Sequence, residues 1–183
     1  KINETSWYQG NIYTSTVKEL YGAAALSPSY SEWKEKFTYI HGELDTQRKI
    51  DVEKLESGFS VVIGSNLEEL FKFIYCLETY YSIILRIIVH KTIFGCYSCI
   101  DDIFNDKTYI EKGIVNYSSA IYYNWFLSLP GIEDSIQKIY GSIKIEDIEI
   151  EGDIISEIFE CIFPKKIRHS VGEYYTPYWL AHE

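Results

Sequence analysis

The chain has 183 residues, 46% of them hydrophobic and 16% aromatic, with 27 acidic against 17 basic side chains and a net charge of −10. A chain of that size and apolar content removes roughly 70% of its unfolded surface from water on folding, which excludes an intrinsically disordered protein. The acidic balance works against a direct grip on phosphate backbones, so any DNA contact is expected to come from other parts of a larger protein. Four cysteines, no signal peptide and no charge-free run of transmembrane length point to a reducing, cytoplasmic setting.

In chain order, Asn11 to Ala25 carries Ile12, Val17, Leu20, Tyr21 and Ala24 at the three-and-four spacing of a helix with one buried face, ended by Ser27-Pro28-Ser29. Ser29-x-x-Glu32 forms a capping box for a second helix, in which Trp33, Phe37 and Ile40 recur until Gly42. Core packing is the expected role of Trp33. Asp45 to Glu56 is polar and weakly periodic, a short helix or an ordered loop.

The longest element is opened by Ser65-x-x-Glu68 and runs from Asn66 to about Lys91. It is apolar nearly all round, but Glu78, Ser82, Arg86 and His90 fall at steps of four and line one narrow stripe, the pattern of a central buried helix. Lys72, Glu78 and Arg86 interrupt each window long enough to span a bilayer, and a charge in the bilayer core costs about 3 kcal/mol or more, so no membrane partner is expected. Glu78 and Arg86 stand two helical turns apart, too far for a direct bridge, and are expected to meet partners on neighbouring helices or water.

Cys96-Tyr97-Ser98-Cys99 has the spacing of zinc hairpins and redox dithiols. One pair is half a tetrahedral site at most, and the helical surroundings lack the strand of a thioredoxin-type motif, so ordinary packing thiols and no metal are expected. Asp101, Asp102, Asn105 and Asp106 lack the glycine and closing glutamate of a calcium loop and read as a helix end with solvated carboxylates. After a break at Gly113-Ile114-Val115-Asn116, Tyr117 to Leu129 is expected to be helical, with Ile121, Trp125 and Leu129 on one face, until Leu129-Pro130-Gly131 ends it. Its tyrosines have no basic residues among them, which favours an aromatic core over base stacking.

Ile132 to Tyr140 is another short helix. Ile143-Lys144-Ile145 and Ile148-Glu149-Ile150 then alternate like strand, with too little partner material nearby for a sheet. Asp153 caps a helix whose Ile154, Ile155, Ile158, Phe159 and Ile162 form an apolar face before Pro164 stops it. Lys165, Lys166 and Arg168 make up the chain's basic cluster, expected to complement the negative end of that helix and the acidic connector before it, with a phosphate or cofactor-carboxylate contact as the alternative. His169 is expected to be structural.

The last stretch is Arg168-His169-Ser170-Val171-Gly172-Glu173-Tyr174-Tyr175-Thr176-Pro177, followed by Tyr178-Trp179-Leu180-Ala181. Thr176 and Pro177 read as the N-cap and first residue of a helix. The free amides of its first turn welcome an anionic group, and Tyr174 and Tyr175 in an extended lead-in wall a flat ligand. This run resembles the S-adenosylmethionine-binding entry motif, motif X, of adenine-specific DNA methyltransferases of restriction-modification and phage-defence systems. The similarity is specific over about Ile154 to Ala181, where Ile-Ile-Ser-Glu-Ile-Phe-Glu-x-x-Phe-Pro-Lys-Lys-Ile-Arg also resembles the family's approach helix. It is loose at Glu32-Trp33-Lys34-Glu35-Lys36-Phe37 and Glu78-Thr79-Tyr80-Tyr81.

The resemblance implies that Tyr174, Tyr175, Thr176 and Pro177, with Gly172 permitting a close chain path, hold S-adenosylmethionine in a larger parent enzyme. It also implies DNA as a partner through other domains of that parent. No catalytic residue is assigned to this chain. The Gly-rich loop and the Asn/Asp-Pro-Pro-Tyr/Phe tetrapeptide of a complete enzyme are missing, since neither Gly-x-Gly nor Pro-Pro occurs. The chain is therefore expected to be an inactive N-terminal fragment with weak or no cofactor binding of its own. A helical domain over 1–163 would pack on the absent catalytic domain, reached through a linker and motif X segment over 164–183. The lack of Met agrees with an excised piece. The expected fold is mainly α: an irregular multi-helix bundle around a long central helix, with a C-terminal extended segment leading into a truncated helix. The alternative is a non-enzymatic acidic helical module that binds protein partners, or an acidic DNA mimic.

Overall fold

The computed structural model of the chain describes residues 7–41, 52–97, 99–114, 122–148 and 154–170. Among them the secondary structure is entirely helical: α1 (Asn11–Ala23), α2 (Tyr30–His41), α3 (Val52–Phe59), α4 (Leu67–Phe94), α5 (Ile100–Phe104), α6 (Asp106–Ile110), α7 (Ile132–Ser142), α8 (Ile154–Ile162) and α9 (Lys165–Ser170). Helix α4 has 28 residues and is about 42 Å long. It packs against α1, α2, α5 and α8.

Its central place follows from its sequence. Phe73, Tyr75, Cys76, Leu77, Tyr80, Ile83, Ile84 and Ile87 have no exposed surface, and with the buried Thr79, Arg86 and His90 they take up more than half of the helix circumference. An element with so wide an inward face must be covered on most of its sides, and the half-buried Glu78, Tyr81, Leu85 and Val89 hold the remaining one. Length and composition alone would let α4 cross a membrane, but most of that apolar run is covered here by the other helices.

Both ends of α4 are closed by their own chemistry. The Asn66 side chain accepts from the amide of Glu68 at 2.9 Å, and Gly95, with φ of 75°, takes the left-handed turn that ends the helix. Ser65 is thus not the cap expected from Ser65-x-x-Glu68. The Asn side chain one residue later, with its carbonyl oxygen one bond further out, reaches the amide two positions on.

Long-range bonds from tyrosine hydroxyls tie the ends of the chain to this axis. Tyr13 of α1 donates to the Ile162 carbonyl at the end of α8 at 2.6 Å, and Tyr80 of α4 donates to the Trp7 carbonyl. Burial pushes both phenols well above their ordinary pKa, so they remain donors at any physiological pH.

The polar stretch Asp45–Glu56, expected as a short helix or an ordered loop, is described only from Val52, where it is a short helix that runs on to Phe59. Other expectations are corrected. No α-helix crosses the described part of Tyr117–Leu129: Tyr122 and Tyr123 form a turn and Trp125–Ser128 is a single 3₁₀ turn. The reason is tertiary. Trp125 donates its indole N–H to Thr79 of α4 at 3.1 Å, whereas the next residue, Phe126, packs edge-on against Phe104 of α5 with ring centroids 5.1 Å apart.

The strand-like alternation after Ile143 becomes a 3₁₀ turn, Ile145–Asp147, with Ile143 fully buried. On α8, Ile158, Phe159 and Ile162 are buried as expected, but Ile155 is 52% exposed. Asp153, its expected cap, lies outside the described residues, as do Ile121 and Ile150. Beyond Pro164 the chain does not extend at once but forms α9, whose Ile167 is fully buried in the same core. The helical body therefore continues past 163 to at least Arg168.

Candidate functional site

Trp33, Phe37 and Ile40 recur at helical spacing on α2, and the first two are buried. Their face turns toward α4 where Glu78 projects. Trp33 donates its indole N–H to Glu78 Oε2 at 2.7 Å, and the Tyr123 hydroxyl donates to the same oxygen. Burial, with the Glu78 charge beside it, pushes the Tyr123 phenol far above its ordinary range, which fixes it as a donor.

Further along the α4 stripe, Arg86 is buried, lies 3.5 Å from the carboxylate of Asp106 and donates to the Phe104 carbonyl at 3.5 Å. His90 shares a hydrogen bond with the Tyr140 hydroxyl of α7 at 3.1 Å. Glu78, Arg86 and His90 of the stripe thus meet partners on other elements, as their spacing implies. The acidic run 101–106 is used structurally: Asn105 caps α6 by accepting from the Lys107 amide at 3.1 Å, and Asp106 serves Arg86.

Between α2, the middle of α4 and α8 lies a groove of about 840 Å³, within the range of small-molecule sites. Trp33 and Phe37 form one wall, Ile158 and Phe159 the other, and Tyr81 and Leu85 the floor. Tyr81 is held upright by an edge contact with Phe159, centroids 5.6 Å apart, and by donating to the Ile155 carbonyl at 3.1 Å. Ile40, 71% exposed, and Ile155 stand on the two rims. Sequence spacing puts Trp33 and Phe37 on one helix face and Tyr81 and Leu85 on another, but nothing in it sets α8 opposite α2.

The cofactor residues expected from the resemblance, Gly172, Tyr174, Tyr175, Thr176 and Pro177, lie outside the described residues, as do Tyr178, Trp179 and Leu180. Their approach is described. Arg168 donates through Nε to the Phe163 carbonyl at 3.2 Å and lies 3.2 Å from a carboxylate oxygen of Glu160. It thereby satisfies an orphan carbonyl at the end of α8 and complements that end's negative dipole. This is the first of the two roles expected for the basic cluster. Lys165 is exposed.

Of the four thiols, Cys76 is fully buried and Cys161 half-buried against the core, and burial raises the pKa of both. Cys96 is exposed and Cys99 half-buried, so this pair does not supply the packing thiols expected from its sequence. The loop between Gly95 and α5 holds it at the surface. Among the described residues no three His, Cys, Asp or Glu side chains gather as metal ligands would. No protein-family model, no curated protein and no solved structure matches the chain.

Proposed function

We propose that this chain is the N-terminal helical part of an S-adenosylmethionine-dependent, adenine-specific DNA methyltransferase of the restriction-modification or phage-defence type, working in the cytoplasm. The observation that carries the reading is the run Gly172-Glu173-Tyr174-Tyr175-Thr176-Pro177 ahead of Tyr178-Trp179-Leu180-Ala181. In this reading Thr176 and Pro177 open a helix whose first-turn amides receive the carboxylate end of the cofactor. Tyr174 and Tyr175 flank the ligand, and Gly172 gives the backbone room to approach it. The flipped adenine and the methyl transfer belong to a catalytic domain elsewhere in the parent.

The helical body supports this division of labour. Through Ile167 and the Arg168 bonds to Phe163 and Glu160, α9 is tied to α8 and the α4 axis, so the run that follows starts from a fixed point. The test is to read the gene beyond Glu183 and express the whole product. A Gly-rich loop followed by Asn-Pro-Pro-Tyr, and a product that methylates adenine in DNA, are the expected results, with Thr176→Ala weakening cofactor binding about tenfold or more. A product without these motifs and without methylation would reject the proposal and leave the helical interaction module.

A further inference from the structure

We infer that the groove between α2, α4 and α8 is a binding site for an uncharged, mostly apolar molecule, such as a fatty alcohol or ester, whose one polar group meets the Ser82 hydroxyl on the α4 floor. The inference does not depend on the methyltransferase reading. The ionic side chains on the lining argue against a charged ligand, because each is already engaged by the protein. Glu78 accepts from the Trp33 indole and the Tyr123 hydroxyl. Lys36 lies 3.0 Å from Glu32 and covers the Tyr122 ring, 4.8 Å from its centre, so that aromatic face is taken as well. Arg86 lies 3.5 Å from Asp106, and the His41 ring packs on that of Phe37 with centroids 4.4 Å apart. An ammonium or carboxylate entering between aromatic and aliphatic walls would lose its water and find every opposite charge already in use.

Ser82 differs from these groups. It lines the groove half-buried, and its hydroxyl has no hydrogen-bond partner among the described residues. A hydroxyl both donates and accepts, so it serves an alcohol, a carbonyl or an ether oxygen alike. From Ser82 to Val89 the α4 floor rises about 10 Å, the extended length of an eight-carbon chain, and Leu85, Ile88 and Val89 line that run. The groove volume of about 840 Å³ also admits a wider ring system.

The test is calorimetric titration of the 183-residue chain at neutral pH with octanol, octanoate and octyltrimethylammonium, chains of equal length that differ in the charge of the head. Octanol is expected to bind saturably and at least about tenfold more tightly than either ion. Ser82→Ala, which removes the hydroxyl and little else, is expected to weaken octanol about threefold to tenfold in a chain that melts like the wild type. Ser82→Trp, which fills the groove from the α4 floor, is expected to abolish octanol binding in a chain that still melts cooperatively. The inference is overturned by no saturable octanol binding, which leaves the groove to a polypeptide segment, by either ion binding as tightly as octanol, by octanol binding that ignores Ser82→Ala, or by binding that survives Ser82→Trp. The wild-type comparison and Ser82→Ala decide the matter even if Ser82→Trp does not fold.

Discussion

The indole N–H of Trp33 meets the Glu78 carboxylate at 2.7 Å across the α2–α4 interface, a directional polar link between the two helices that adds to the Tyr30 and Lys34 bonds to Glu68. A hydrogen bond to a charged group contributes about 1.5–3 kcal/mol, and its loss leaves the acceptor half-buried and under-satisfied. Trp33→Phe is therefore expected to lower the urea stability by about 2 kcal/mol. In a Glu78→Gln background the same change should cost at least about 1 kcal/mol less, because part of the charge-assisted bond is already gone. Strict additivity in that double-mutant cycle would refute the coupling.

The N-cap of α4 separates two neighbouring residues. Asn66→Ala removes the acceptor for the Glu68 amide and is expected to cost about 1 kcal/mol, whereas Ser65→Ala should stay within about 0.5 kcal/mol. Thermal or urea melts of the two variants check this directly, and a larger loss from Ser65→Ala would move the cap back to the position its sequence pattern favours.

His90 gives the fold a particular acid sensitivity. Burial lowers its pKa, and the Asp102 charge opposes that only in part. An unfolded His takes up its proton near the ordinary value of about 6.5, while the folded one does so only at lower pH. The folded state therefore binds fewer protons in that interval. Its stability from this group is full above about pH 6.5 and is lost as the pH falls through the ordinary His range toward the folded pKa. The Lys-paired carboxylates Glu68 and Glu69 also have lowered values, but they act in a more acid window. Urea unfolding at about pH 7.5 and pH 5.5 should show a smaller acid loss for His90→Gln than for the wild type. Equal slopes would mean that His90 titrates as in the unfolded chain.

The four thiols should react in an order set by exposure. Cys96, at the surface, is expected to react with a thiol reagent in the native protein at a rate close to that of a free thiol. Cys76, fully buried with its pKa pushed up by desolvation, should react only on unfolding. Mass mapping of the labelled cysteines over time reads this order. Early labelling of Cys76 would show that the α4 axis opens far more readily than its packing implies.

Ile167 tests whether α9 belongs to the helical body. It is fully buried although it lies beyond Pro164, so Ile167→Ala is expected to cost about 2–5 kcal/mol, the range for a truncated core side chain. A loss under about 1 kcal/mol, measured by urea unfolding, would instead make residues from 164 onward a linker, as the sequence first implies.

Local rules decided much of this protein. The long apolar run with Asn66 before it and Gly95 after it had to be a buried helix whatever surrounded it, and Val17 and Leu20, like Ile136 and Ile139, had to turn inward, because helical spacing places side chains by the chain's own geometry.

Other features came from contacts between residues far apart in sequence. The Trp125 turn departs from its helical pattern because neighbouring aromatics are drawn to α4 and α5. Among the described residues the alternation after Ile143 makes no strand, and they hold no partner edge to pair its amides. Arg168 became a helix-end donor because Phe163 and Glu160 lie within its reach. Above all, the aromatic groove exists because α8 returns to lie opposite α2 on the same side of α4. That closeness links residues more than a hundred positions apart, and no one-dimensional period encodes it.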